Sequence, residues 1–283
     1  MNYEWLESFV CFSERLNFTH AAKELHISQP ALHVQIRKLG EELGLALYER
    51  RGRRLYLTVE GERLASYGRA IRTQEQELLA ELHKGPAGPI VLAAGQGAFL
   101  YLLGAAIRRF PKQTWPLELE PSSGPEALRK VRESRAHLAV LVSDEPLYDL
   151  EATTLRTVGQ MVVLPSKHRL AGRSRLQVQD LDGEPLVLPP IDRAHRRMLE
   201  QAFATVGAAL QVAVEASGWE LMLRFTSDGM GLTIVNDICK VPRGCVGIPL
   251  RGLPSLDYRM VHKPTLGAGA RKLADLIESS CKT

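Results

Sequence analysis

The sequence predicts an α/β chain in two parts: a short helical amino-terminal unit closed by a hairpin, and a longer part of alternating strands and helices. Three observations predict it. Apolar residues recur at helical spacing as far as Leu43, a proline-free stretch rich in helix formers runs from Glu60 to Leu82, and beyond Gly88 short apolar runs alternate with amphipathic ones.

Taken in order, Trp5, Leu6, Phe9, Val10, Phe12 and Leu16 give one apolar helical face and predict a supporting helix. A second, shorter helix starts at Thr19, turns Ala21, Ala22 and Leu25 towards a neighbour and ends near His26 and Ile27. Ser28 is placed to cap a third helix, with Pro30 in its first turn, where a missing N–H is tolerated. Leu32, Ile36, Leu39 and Leu43 form its buried stripe. The opposite face carries Pro30, Val34, Arg37 and Lys38, with Gln29 and His33 on its flank. Two short helices joined by a tight turn, the second polar and basic at its start, form the helix-turn-helix that enters a major groove. Ser28, Gln29, Pro30, Ala31, His33, Arg37 and Lys38 are therefore the candidate DNA-contacting residues of that helix.

Tyr48 to Leu55 follows as two short β-prone runs around Gly52, and predicts a wing. Arg50, Arg51, Arg53 and Arg54 would set guanidinium groups against phosphates or into a minor groove, supplying affinity more than base reading. An isolated arginine run is more often a solvated face. Its place directly after a helix-turn-helix favours the wing.

From Glu60 to Leu82, Leu64, Tyr67, Ile71, Leu78 and Leu82 fall near a heptad seam interrupted by Gln74. A helix leaving a small domain and ending in Lys84–Pro89 has little local surface to bury against, so a two-fold partner is expected. The expected domains are 1–58 for DNA binding, 59–87 for the dimerising linker helix and hinge, and 88–283 for regulation.

In the last part, Ile90–Ala94 reads as a strand, Leu100–Phe110 as a helix, Leu117–Leu119 as a strand, Pro125–Ser134 as a helix and Leu138–Val142 as a strand. A second unit runs through Met161–Leu164, Pro185–Leu188, a helix over Arg193–Val206, Val212–Glu215, a helix over Trp219–Asp228, and Leu232–Val235. A returning strand at Leu256–Val261 and a closing helix at Ala270–Ser279 complete two α/β lobes, between which the chain crosses twice. Loops at strand ends facing such a cleft are the usual ligand position. They carry Gln96, Gly97 and Ala98, then Ser122 and Ser123, in the first lobe. The second lobe offers Pro190, Asp192 and Arg193, then Ser217 and Trp219. Hydroxyls beside helix N-termini suit a carboxylate. Singly, each of these residues is more often a helix cap, and Trp219 is as well suited to core packing as to covering a ligand.

The stretches FTHAAKELHISQPALHVQIRKLGEELG, YERRGRRLYLT and EGERL together resemble the LysR-type transcriptional regulators. The resemblance implies a winged helix-turn-helix, a long linker helix and a carboxy-terminal effector domain of periplasmic-binding-protein type. It also implies that the four loops converge on one effector site. The chain departs from the family pattern at His33 and Val34, where a small polar residue followed by a basic one is common, which points to an unusual base preference.

Composition agrees with a regulator. A net charge of +4 and a pI near 8.9 are only mildly basic, so DNA binding rests on local clustering of charge. Cys11, Cys239, Cys245 and Cys281 lack CxxC spacing and read as structural thiols, although Cys239 and Cys245 are near enough in sequence to suggest a redox pair. The histidines show no metal-ligand spacing, and no P-loop, nucleophile elbow or GxGxxG occurs. No catalytic residue, cofactor or metal is expected, and with no signal peptide or long apolar segment the expected compartment is the cytoplasm. The reading is a ligand-responsive, non-enzymatic regulator that binds a near-palindromic duplex operator as a homodimer or dimer of dimers and senses a small anionic organic effector. The rivals are an enzyme or small-molecule binder, and a constitutive DNA-binding protein without effector. Against the second rival, most of the chain is a two-lobed part that simple DNA binding does not need.

Overall fold

The computed structural model describes residues 1–52, 54–83, 88–143 and 145–281, and leaves the side chains of 77 and 80–83 outside the description. The amino-terminal unit holds α1 (Tyr3–Arg15), α2 (Phe18–Glu24) and α3 (Gln29–Leu43). Asn2, Asn17 and Ser28 cap them through side-chain oxygens, each satisfying first-turn N–H groups that would otherwise cost about 1 kcal/mol. Because Asn17 supplies the second cap, α2 begins at Phe18, one residue before the expected Thr19. Leu32, Ile36 and Leu39 are buried and Leu43 half-buried, packed with Phe9, Phe12, Ala21 and Ala22. The two alanines let α2 lie close to its neighbours. β1 (Tyr48–Arg51) and β2 (Arg54–Leu57) then pair antiparallel, with Gly52 at φ 64° beginning the reversal.

α4 (Val59–His83) spans the expected linker helix. Its seam differs from expectation at Leu64, which packs into the core of the amino-terminal unit beside buried Ala65. The first turns of α4 lie against α1 and close that core, so Leu64 is used within its own chain. Tyr67 and Leu78 stay exposed and Ile71 half-buried, while the Leu82 side chain and residues 84–87 of the hinge lie outside the described residues. Further along, Ser66 donates to the Arg132 carbonyl at 2.7 Å, and buried Arg69 donates through Nε to the Glu133 carbonyl at 2.5 Å. These bonds tie α4 to the regulatory part.

That part continues through β3 (Ile90–Ala94), α5 (Gln96–Tyr101), α6 (Gly104–Arg109), β4 (Leu117–Pro121), α7 (Gly124–Arg132), β5 (Leu138–Leu141) and β6 (Glu151–Val158). Next come β7 (Gln160–Pro165), β8 (Leu176–Gln177), β9 (Pro185–Leu188), α8 (Ala194–Val206), β10 (Gln211–Glu215) and α9 (Trp219–Ser227). β11 (Thr233–Asn236), β12 (Cys245–Arg251), β13 (Leu256–His262) and α10 (Ala268–Cys281) complete the chain. The helix expected over Leu100–Phe110 is two helices, α5 and α6. The break at Leu102 and Leu103 lets both side chains enter the core, which one straight helix would not allow.

In the first lobe the sheet runs β4-β3-β5-β13-β6, parallel through β4, β3 and β5 and antiparallel where β13 joins β5 and β6. In the second, β7 pairs antiparallel with β11 and β12, while β9 and β10 pair parallel. The sheets are therefore mixed, and β6, β8 and β12 had no counterpart in the sequence reading. Exposed residues such as Thr154, Arg156, Gly247 and Pro249 interrupt the continuous apolar runs that mark a strand buried on both faces. The chain passes between lobes at Gly159 and again over 252–255. There Tyr258 of the first lobe accepts from Asn236 Nδ2 at 2.9 Å, and Asn236 accepts from Gln160 Nε2 at 3.0 Å.

Candidate nucleic-acid face and interlobe cleft

On α3, Gln29, Pro30, His33, Val34, Arg37 and Lys38 are exposed along one side. Ala31 is half-buried and its N–H is taken by Ser28 Oγ at 3.2 Å, so these two shape the start of the helix. Gln29 accepts from Thr19 Oγ1 at 3.1 Å, which leaves its amide N–H₂ free to face outward. The His33 ring lies on Phe18 with centroids 3.6 Å apart at 17°, a contact between helices that no local spacing revealed. Arg37 is 3.6 Å from Glu41 and Lys38 lies 5.6 Å over the Trp5 ring. Exposed pairs of this kind are worth little, so both cations remain available to an incoming phosphate.

In the hairpin, Arg50 donates to the Gly52 carbonyl at 3.0 Å, and Arg51 pairs with Glu49 at 2.5 Å while lying 5.5 Å over Tyr56. Arg54 is exposed, and Arg53 lies outside the described residues. The expected wing arginines that are described are thus carried by one antiparallel pair beside the start of α3.

In the regulatory part, a cleft of about 670 Å³ lies between the lobes. Gln96 and Gly97 from the β3–α5 loop and Ser122 and Ser123 from the β4–α7 loop line one side. Pro190, Asp192 and Arg193 from the β9–α8 loop and Ser217 and Trp219 from the β10–α9 loop line the other. Ala98 is a correction. It is 1 % exposed and packs in the core of the first lobe, because α5 turns it towards the sheet. Ser122 lines the cleft but its hydroxyl is engaged, donating to the Glu120 carbonyl at 3.2 Å and accepting from Lys130 at 2.8 Å. The hydroxyls of Ser123 and Ser217 make no hydrogen bond among the described residues.

The lobes touch through two glycines. A Cβ on Gly97 would come within 2.3 Å of Trp219 Cδ1, and one on Gly218, at φ 95°, within 2.9 Å of Gln96 Oε1. The Trp219 ring therefore closes against backbone of the opposite lobe and forms a cleft wall.

α7, α8 and α9 all begin at the cleft, at Ser123, Arg193 and Gly218, without side-chain caps. Their unpaired N–H groups place partial positive charge there. Asp192 is offset by Arg193, 3.9 Å away, and its carbonyl accepts from Arg197 at 2.7 Å. Residues that the sequence reading missed also line the cleft, among them Glu126, His195, Arg197 and Met222. His195 donates from Nε2 to the Ile234 carbonyl on β11 at 3.0 Å and meets Trp219 edge-on at 4.9 Å. Burial lowers its pKa from 6.5 to about 4, the carbonyl contact opposing. A histidine early in an amphipathic helix carries no local mark of this, since its partners come from β11 and α9.

Burial pushes the Cys239 thiol up to about 12 and Cys11 to about 11, and raises Cys245 and Cys281 as well. None of the four lines the cleft, and such protonated thiols suit packing rather than nucleophilic or redox chemistry. Among the described residues no group of three His, Cys, Asp or Glu could hold a metal, and no helix is long and apolar enough to cross a membrane.

A winged helix-turn-helix joined by a long helix to a two-lobed α/β body defines a class of transcriptional regulator. The family model described as "LysR substrate binding domain" matches residues 83–282, and that of "Bacterial regulatory helix-turn-helix protein, lysR family" matches residues 3–62. The chain belongs to the LysR family of bacterial regulators. It is 26% identical to the RuBisCO operon transcriptional regulator of Allochromatium vinosum, over 94% of this chain and 92% of that protein. It is 30% identical to the HTH-type transcriptional regulator CysB of Burkholderia cenocepacia, over 91% and 84% respectively. Among solved structures, a full-length OxyR point variant from Pseudomonas aeruginosa superposes with a TM-score of 0.74 at 19% identity, covering 100% of this chain and 95% of that one, which shows the shared fold.

Proposed function

We propose that residues 1–58 read a near-palindromic duplex operator, that 59–87 pair two or more copies, and that 88–283 sense a small anionic organic molecule in the interlobe cleft of this cytoplasmic, non-enzymatic regulator. On α3, Gln29 and His33 reach base edges while Arg37 and Lys38 meet phosphates. The hairpin arginines add salt-dependent affinity. The observation that carries the sensing role is the meeting of three uncapped helix N-termini with the free hydroxyls of Ser123 and Ser217 in one cleft shared by both lobes. A ligand seated there contacts both lobes and favours one relative orientation. α4, bonded to the first lobe at Arg132 and Glu133, passes that preference to the DNA-binding unit.

Footprinting on the DNA upstream of its own gene, with and without a panel of organic acids, tests the reading together with calorimetry on Ser123→Ala and Ser217→Ala. The expected result is a footprint that changes extent with an active acid, and roughly tenfold weaker acid binding in the variants, the loss of one charge-assisted hydrogen bond. An acid that binds the parent and both variants equally overturns the cleft assignment. A footprint indifferent to every acid favours the constitutive alternative.

A further inference from the structure

We propose that His195 sets effector choice by demanding a hydrogen-bond donor, so that the effector is an organic acid that also carries a hydroxyl or ammonium group. The inference rests on the acid-sensing reading of the cleft and narrows it.

The Ile234 carbonyl can only accept, so Nε2, 3.0 Å away, carries the ring proton. In a neutral imidazole the other nitrogen is then a bare lone pair. The ring stays neutral through the physiological range, because burial holds its pKa far below the ordinary value. Nδ1 therefore accepts only. It has no partner among the described residues, and it is absent from the side-chain atoms that are both unpaired and sealed from solvent, unlike Gln160 Oε1 and Thr226 Oγ1. His195 lines the cleft, and Nδ1, the ring nitrogen not tied to β11, is the one we place towards it. The ring cannot swing away: Nε2 is tied to β11 on one side and Trp219 packs edge-on at 4.9 Å on the other.

The rest of the cleft meets the other end of such a molecule. Ser123 and Ser217 and the helix N-termini are donors for an anion, and Arg193 and Arg197 lie on the same rim. A simple carboxylic acid would satisfy these and leave Nδ1 facing apolar ligand surface. A 2-hydroxy or 2-amino acid, or a ring acid with a hydroxyl too far from its carboxylate to bond it, satisfies both ends.

The test is calorimetry on the full chain with matched probes that differ only in the donor: succinate against malate and aspartate, and benzoate against 3-hydroxybenzoate. The hydroxyl member is expected to bind roughly 2- to 12-fold more tightly, the range of one neutral hydrogen bond, and the ammonium member at least as tightly, because its hydrogen bond is charge-assisted. His195→Phe should erase that gain while keeping affinity for the donor-free member. Malate against aspartate separates hydroxyl from ammonium recognition. Independently of any variant's folding, nitrogen NMR of the parent chain should show His195 protonated at Nε2, with the Nδ1 resonance moving only for donor-bearing probes. A His195 protonated at Nδ1, or a donor gain that survives His195→Phe, overturns this proposal and leaves acid sensing intact. If no probe of either kind binds, acid sensing fails and this proposal fails with it.

Discussion

The DNA-contacting face and the interlobe cleft are assembled in opposite ways. The first is local: every candidate residue lies between Ser28 and Arg54, on one helix and one hairpin held by a core of adjacent elements. The second draws on four loops, from Gln96 to Trp219, and exists only where two lobes meet. A local face can keep its shape if the unit beneath it stays folded. A shared cleft changes shape whenever the lobes move, which is what a sensor requires and a reading head does not.

The largest effect that would sharpen this contrast is expected from Phe12→Ala. The ring is fully buried, stacked on Phe18 at 4.2 Å and edge-on to Tyr48 at 5.3 Å, so its loss should cost about 3–5 kcal/mol. Calorimetric melting should show the amino-terminal unit unfolding first and operator binding lost with it, while acid binding in the cleft persists. Acid binding that falls in step would break the contrast and mean that the two regions fold as one.

Acid should act on the other region. His195 has a folded-state pKa near 4 against 6.5 ordinarily, so between those values the unfolded chain binds more protons. Stability contributed by the neutral ring is complete above pH 6.5 and is lost as the pH falls towards 4, by roughly 2–3 kcal/mol. Thermal melts between pH 7 and 4 should show this loss in the transition of the regulatory part, and His195→Phe should reduce it, leaving the share of His137, whose pKa burial also lowers. An equal loss in that variant would assign the acid sensitivity elsewhere.

A smaller, local change is expected from Gly97→Ala. The added methyl must displace the Trp219 ring from the opposite lobe, an overpacking cost of about 1–3 kcal/mol. Trp219 should become more solvent-exposed by fluorescence and acid affinity should fall, with operator affinity in the absence of acid unchanged. Unaltered tryptophan emission would show that the contact yields without moving the lobes.

The same contrast governs what could be read without coordinates. The cap at Ser28, the stripe Leu32–Ile36–Leu39 and the hairpin around Gly52 follow from spacings of one to a few residues, and the structure places them as expected. β3 and β9 were likewise legible to the residue, because each is a short apolar run bounded by turn residues. Less legible were β6 and β12, whose exposed polar and turn-forming residues blur the strand signal, and the break at Leu102 and Leu103, which depends on what lies beneath them.

The helix-turn-helix, the wing and the loops that could meet follow from local spacing alone, since backbone capping, helical period and turn chemistry act between near neighbours. Packing between distant elements turns Ala98 into the core and brings Lys130 to the Ser122 hydroxyl. The same packing set His33 on Phe18 and tied His195 Nε2 to the Ile234 carbonyl beside Trp219. Each of those outcomes depends on a partner at least eight positions away along the chain, and such a partner is brought near only when the apolar faces of separate elements are buried against one another.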